Sequence, residues 1–186
     1  MQTGVILDKD GTLTQPISGQ RFVQHPADQV LLPGVAERIA ALHQDGATLV
    51  IVSNQGGVDA GHKSLEEAIT EMRYCLKLLP QISYALFCPD FDGRELYYVD
   101  RLDVRHQSSM DRISFGASAS DGDLPSRTNY RKPGPGMLNW AITVSEIERS
   151  SALMIGDQPE DEQAAINAQI KFLSADLWRA GKGSAH

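Results

Sequence analysis

The sequence predicts an α/β fold with a Rossmann-like topology, a parallel sheet with helices on both faces. Three observations predict it. Apolar runs of strand length alternate with stretches whose apolar residues recur at helical spacing, the pattern of a sheet built from strand-helix-strand units. Several strands stop at acidic or hydroxyl residues. No internal repeat or separate linker divides the 186 residues, a length that suits one well-packed core. The expected organisation is therefore a single domain over 1–186.

The first strand is "TGVIL", which runs straight into Asp8. After a long turn-rich stretch, "PGVAERIAALHQDG" places Val35, Ile39 and Leu42 at helical spacing, with Pro33 at the start and Gly46 as a stop. "ATLVIV" is a second buried strand ending at Ser53, and "SLEEAITEMRYCLKLLP" a helix that opens with a capping box, Ser64 to Glu67, and closes at Pro80. "ISYALFC" is the third strand. From 89 to 130 the periodicity fails, and "SFGASASDGDLPSRTN" reads as loop, so an irregular insert is expected there on the substrate side. A helix on "GPGMLNWAITV", a strand on "ALMIG", a helix on "PEDEQAAINAQ" and a short strand "IKFL" complete the order.

Composition excludes several classes. Hydrophobic content of 41% and charged content of 22% are those of an ordinary globular protein, not a disordered or collagen-like chain. A formal net charge of −7 works against loose electrostatic binding to nucleic acid or an anionic membrane. Two cysteines, Cys75 and Cys88, cannot build a disulfide framework. The N-terminus lacks signal-peptide character, because its first apolar run already contains Asp8 and Lys9, and no apolar run approaches the roughly 20 residues of a membrane span. A cytoplasmic location without membrane contact is expected. Oligomeric state is not readable from the sequence.

The motifs converge on one edge. In an open α/β sheet, ligands bind outside the carboxyl ends of the strands. There the first strand delivers Asp8 and Asp10, the second Ser53 and Asn54, and "ALMIG" delivers Asp157 with Asp161 one turn on, while "YRKPGPG" brings Arg131 and Lys132. Asp8 and Asp10 stand two apart in an extended segment, so both face one small volume. Their repulsion demands a metal ion, a proton or both. Acidic groups, one hydroxyl and two cations suit a divalent metal holding a phosphate.

On these residues the chain resembles the phosphatases of the haloacid dehalogenase (HAD) superfamily, with "DKDGTL", "IVSN", Lys132 and "GDQPED" standing as the four motifs in order. "SNQGG" and "RKPGPGM" are similar to subfamily IIIA, the group of histidinol-phosphate phosphatase, heptose bisphosphate phosphatase and the polynucleotide 3'-phosphatases, a resemblance that implies no large cap domain. The resemblance implies a Mg²⁺-dependent phosphomonoester hydrolase acting through an aspartyl-phosphate. Asp8 is then the nucleophile, and Asp10 the general acid and later the base. A halide leaves without a proton, so the second Asp argues for phosphate esters over haloacids. The resemblance further implies that Asp8, Asp157 and the Asp10 backbone carbonyl hold Mg²⁺, a metal that takes few carboxylates. Ser53 and the Asn54 backbone would hold phosphate oxygens, and Lys132 would offset the charge shared by Asp8 and the transferring group. Asp161 orients Lys132 or a metal-bound water, or is simply a carboxylate favoured at a helix N-terminus. Arg131 clamps a second substrate phosphate or carboxylate, or faces water.

The chain departs from the family at a zinc loop that many bacterial members carry. The ligand pairs are replaced by Cys88-Pro89-Asp90 and Thr128-Asn129-Tyr130. One thiolate among four positions builds no structural zinc site, so no zinc is expected and Cys88 reads as a buried strand residue. The insert interleaves Phe91, Tyr97, Tyr98, Phe115 and Tyr130 with Arg94, Arg101, Arg105, Arg112 and Arg127, a mixture that can stack bases and bind phosphates. Residues 89–132 nevertheless carry eight acidic against seven basic side chains. A small phosphorylated metabolite, such as a sugar phosphate or histidinol phosphate, is the expected substrate, with a polynucleotide 3'-phosphatase as the alternative. Alternating charge in "YYVDRLDVRH" marks the solvated face of a strand or hairpin. A catalytically inactive binding module is a third reading, which retention of Asp8, Asp10, Ser53, Lys132 and Asp157 opposes.

Overall fold

All five residues of the first strand, β1 (Gly4–Asp8), are buried, as expected of a strand covered on both faces. The computed structural model describes residues 3–108 and 129–182. In chain order the elements are β1, β2 (Thr14–Gln15), β3 (Val30–Leu31), α1 (Val35–Gln44), β4 (Thr48–Asn54), α2 (Leu65–Leu78), β5 (Tyr84–Cys88), β6 (Glu95–Val99), β7 (Val104–Ser108), α3 (Gly136–Val144), β8 (Ala152–Gly156), α4 (Pro159–Asn167), β9 (Lys171–Ser174) and α5 (Ala175–Arg179). The main sheet has the order β7-β6-β5-β4-β1-β8-β9.

The period-2 geometry of strands divides the interior into two cores. Val5 and Leu7 of β1, Leu49 and Ile51 of β4, and Leu153 and Ile155 of β8 face α1, α2 and α5, whose Ile39, Met72 and Trp178 close that side. Ile6, Val50, Val52 and Met154 face the other way, onto α3 and α4 through Met137, Leu138, Ala141 and Ala164. The result is a three-layered α/β/α arrangement. β1 pairs in parallel with β4 on one side and β8 on the other, so the chain changes winding direction at β1. A crevice at the strand C-termini follows from that reversal.

Two expectations need correction. The sheet is mostly parallel but not wholly so, because β6 is antiparallel to β5 and β7 antiparallel to β6. The first part of the supposedly irregular insert is therefore an ordered hairpin, with "YYVDRLDVRH" as its strands and turn. The turn closes because the Asp100 carboxylate accepts from the backbone N–H of Leu102 and Asp103, at 2.8 and 2.6 Å. Aromatic side chains on both faces of β6 hold the hairpin to the sheet. Tyr97 stacks on Phe87 and His106, and Tyr98 on Tyr84. The remainder of the insert, 109–128, lies outside the described residues, together with Phe115, Arg112, Arg127 and Thr128. The small β2–β3 pair and the final helix α5 were also not anticipated. No helix among the described residues is long and apolar enough to cross a membrane.

Candidate active site

Asp8 ends β1 and is 6% exposed. Its Oδ1 accepts from Lys132 Nζ at 2.6 Å, while no described residue donates to Oδ2. Lys132 is itself buried and also donates to Asp161 Oδ1 at 2.6 Å. One ammonium thus holds two carboxylates. Burial pushes the Asp8 carboxyl up to about 7, against the lowering pull of Lys132 and with Asp161 adding to the rise. For Lys132 burial works downward, but Asp8 and Asp161 outweigh it and hold its pKa above the usual value. A cation beside Asp8 Oδ2 would draw the carboxyl back to its charged form.

The other motif residues reach the same place by identifiable local devices. Asn54 ends β4 and brackets the approaching chain, its Nδ2 donating to Lys132 O at 2.9 Å and its Oδ1 accepting from Lys132 N at 3.0 Å. Its side chain is thereby occupied, which leaves its backbone for a ligand. Asp161 lies in the first turn of α4, where Oδ2 accepts from Gln158 N at 3.0 Å. The two structural readings of Asp161, helix-terminal carboxylate and orienter of Lys132, are both realised by its two oxygens. Gly156 ends β8 because Asp161 tucks against it, and a Cβ there would sit 2.3 Å from Asp161 Oδ2.

Asp157 is exposed at the mouth, its Oδ1 accepting from Thr12 Oγ1 at 3.0 Å. Gly11 packs against it with φ +86°, a left-handed conformation that favours glycine, and a Cβ there would lie 2.4 Å from Asp157 Oδ2. Arg179 of α5 donates from Nη1 to Gly11 O and Thr12 O, at 2.9 and 2.8 Å, and so fixes the loop after β1. Ligand atoms of Asp8, Asp157 and Asp161 all lie within 4.8 Å of one another, an all-oxygen set of the kind hard divalent cations take. Asp8 and Asp157 were expected as ligands together with the Asp10 backbone carbonyl, and Asp161 joins the two as a third carboxylate. The Asp10 side chain, 47% exposed, turns instead to Lys9 Nζ at 2.5 Å and Gln55 Nε2 at 3.1 Å.

Asp8, Asp10, Ser53, Asn54, Arg131, Lys132 and Asp161 line one cleft of about 380 Å³. Of the expected residues, Asp157 alone stands at its edge rather than in the lining. Arg131 is partly buried, stacks 4.9 Å over the Phe91 ring, and its Nη1 has no hydrogen-bond partner among the described residues. That nitrogen is itself buried, packed against Gly56. Cys88 is buried at the end of β5 as expected, its thiol donating to Asp90 Oδ1 at 3.2 Å and pushed up by burial. Asp90 also accepts from the backbone of Arg94 and Glu95 and so shapes the turn into the hairpin.

The sequence reading passed over a buried group behind Asp10. Glu71 of α2 is 2% exposed. Its Oε1 accepts from Lys9 Nζ at 2.6 Å, and its Oε2 pairs with Lys63. Lys63 Nζ also donates to Gln55 Oε1 at 2.9 Å. The signal was present: Glu71 falls on the apolar stripe of α2 beside Ala68, Met72 and Cys75, and a charge there needs a buried partner.

The model of the family described as polynucleotide kinase 3 phosphatase matches residues 5–178. A D-glycero-beta-D-manno-heptose-1,7-bisphosphate 7-phosphatase from Haemophilus influenzae is 28% identical over 172 residues, covering 92% of this chain and 80% of its own. The protein of the same description from Photorhabdus laumondii is 29% identical over 170 residues, 89% of this chain and 76% of that one. Among solved structures, D,D-heptose 1,7-bisphosphate phosphatase from B. bronchiseptica, complexed with magnesium and phosphate, superposes with a TM-score of 0.63. It covers 94% of this chain and 79% of that one at 23% identity, a likeness of fold. The chain belongs to the polynucleotide kinase 3 phosphatase family and is a phosphatase of the haloacid dehalogenase superfamily, of the subfamily IIIA type.

Proposed function

We propose that this single-domain protein hydrolyses the phosphomonoester of a small sugar phosphate through a phosphoryl-Asp8 intermediate, with Mg²⁺ as its metal. The observation that carries the reading is Asp8 itself: one oxygen fixed by Lys132, the other without a donor, at the floor of a cleft that also holds Asp10. Asp8 attacks phosphorus as the ester P–O bond breaks, and Asp10 gives the departing alkoxide its proton. Asp10 then takes a proton from the water that attacks the phosphoryl group, releasing inorganic phosphate and the Asp8 carboxylate. Ser53 and the Asn54 backbone hold phosphoryl oxygens, and Lys132 offsets the charge gathered at Asp8. Asp8 and Asp157 fit a Mg²⁺ ion by donor type and proximity, and such an ion would neutralise the repulsion between carboxylates and the incoming phosphate.

The sugar-phosphate class is supported by the sugar bisphosphates named for the relatives and by the Arg131 side chain in the cleft lining, a cation that suits a second anionic group on the substrate. The arginine-aromatic mixture of the insert supports a strand-binding surface less well. Tyr97 and Tyr98 are stacked within the fold, Tyr130 is buried, and Arg101 donates to the carbonyls of Leu76, Pro80 and Ile82 at the end of α2. The testing experiment is phosphate release from sugar phosphates and bisphosphates, histidinol phosphate, nucleotides and a 3'-phosphorylated oligonucleotide, with Mg²⁺ and with EDTA. A sugar bisphosphate is expected to lead the panel, with release abolished by EDTA. Preference for the oligonucleotide would reverse the substrate assignment.

A further inference from the structure

We propose that Gln55, oriented by Lys63, is a positioning residue that sets the hydrogen-bond polarity of the phosphate pocket and turns the Ser53 hydroxyl proton toward the substrate's phosphoryl oxygen. The inference deepens the reading of Ser53 as a phosphate-binding residue and rests on it.

A carboxamide has a donor end and an acceptor end, and here each neighbour permits one of them. Lys63 Nζ can only donate, and it lies 2.9 Å from Gln55 Oε1. The amide nitrogen must then face the opposite way, where its two N–H bonds go to Asp10 Oδ2 at 3.1 Å and Ser53 Oγ at 2.8 Å. Gln55 is 4% exposed, so water does not compete for these bonds. Lys63 is in turn held by Glu71 Oε2, and Glu71 Oε1 by Lys9. The direction of donation therefore runs from a buried ion network through the amide into the cleft.

The consequence falls on Ser53. A hydroxyl that accepts from Gln55 is left with its own proton to give, and no described residue takes it. Ser53 lines the cleft beside Asp8 and Lys132, so the proton is available to an unprotonated phosphoryl oxygen. With the amide reversed, Oε1 would face the Asp10 carboxylate and would accept the Ser53 proton, so the pocket would lose a donor.

The test compares Gln55→Glu, Lys63→Met and Ser53→Ala, reading KM for p-nitrophenyl phosphate and Ki for inorganic phosphate, with folding checked by circular dichroism. Gln55→Glu keeps the shape and the Lys63 contact but replaces the donor with an acceptor. It is expected to raise KM and Ki about 10- to 100-fold, the range for losing a hydrogen bond to a charged group. On the Ser53→Ala background the same substitution should raise Ki by clearly less than it does in the wild type, because the part that acts through Ser53 is already gone and only the effect of the new charge beside Asp10 remains. Lys63 is partly exposed, so Lys63→Met tests the proposal even if the Gln55 variant does not fold, and the same pattern is expected at smaller size. Unchanged Ki in folded Gln55→Glu or in Lys63→Met, or effects of Gln55→Glu and Ser53→Ala that multiply, would overturn the inference. If Ser53→Ala itself leaves KM and Ki unchanged, the phosphate-binding reading of Ser53 fails first.

Discussion

Asp8→Asn is expected to lower turnover by at least about 10⁴-fold while inorganic phosphate still binds, as loss of a covalent nucleophile does elsewhere. An amide cannot form the acyl phosphate, yet it fills the same volume and its oxygen can accept from Lys132, which keeps Asp161 as a second partner. Fold and pocket should therefore survive, and Ki for phosphate in residual-activity or calorimetric assays checks the second half of the statement. The substitution also has a pH signature in EDTA. Burial raises the Asp8 carboxyl from 3.8 to about 7, so between those values the native protein binds more protons than the unfolded chain. Stability of the metal-free wild type should then fall as pH rises through that window, a loss the amide variant escapes. Turnover within tenfold of wild type would remove Asp8 from its role.

Asp10→Asn is expected to cost about 10²- to 10⁴-fold with an alkyl phosphate, the usual worth of a general acid. With p-nitrophenyl phosphate, whose leaving group departs as a stable anion, the loss should be much smaller. Some loss should remain even there. Asp10 accepts from Lys9 on one oxygen and from Gln55 on the other, and both are donors, so the new NH₂ must face one of them. Displacement of the residue from either anchor loosens the loop that also carries Gly11. Comparing kcat/KM across leaving groups separates the effects, and equal losses for both substrates would contradict the acid role.

Much of the catalytic edge was legible because it is assembled from strand ends. Asp8, Ser53 and Asn54 close buried runs of β1 and β4, and Asp157 directly follows β8, so the rule that ligands sit at carboxyl ends of strands placed them together. Lys132 was found by its neighbours in "RKPGPG", which dock to β4 through Asn54. Gln55, Lys63 and Glu71 were missed because each looks ordinary in isolation: a loop amide, a lysine ahead of a helix cap, and one acidic residue in a helix rich in them. Their meaning appears only when α2 packs against β5 and β6 and brings Glu71 to Lys9. The hairpin was half legible for a different reason. Its alternation is clear in "YYVDRLDVRH", but Tyr97 and Tyr98 face opposite sides and are stacked against the fold, which breaks the apolar-in, polar-out pattern of a half-exposed strand.

The most direct test of the central claim is to quench the enzyme with acid during turnover of a ³²P-labelled sugar phosphate in the presence of Mg²⁺ and map the labelled peptide. The account predicts label on the peptide spanning Val5 to Leu13, released by hydroxylamine as an acyl phosphate should be, and absent in Asp8→Asn. Label on any other peptide, or covalent label that survives in Asp8→Asn, would contradict it.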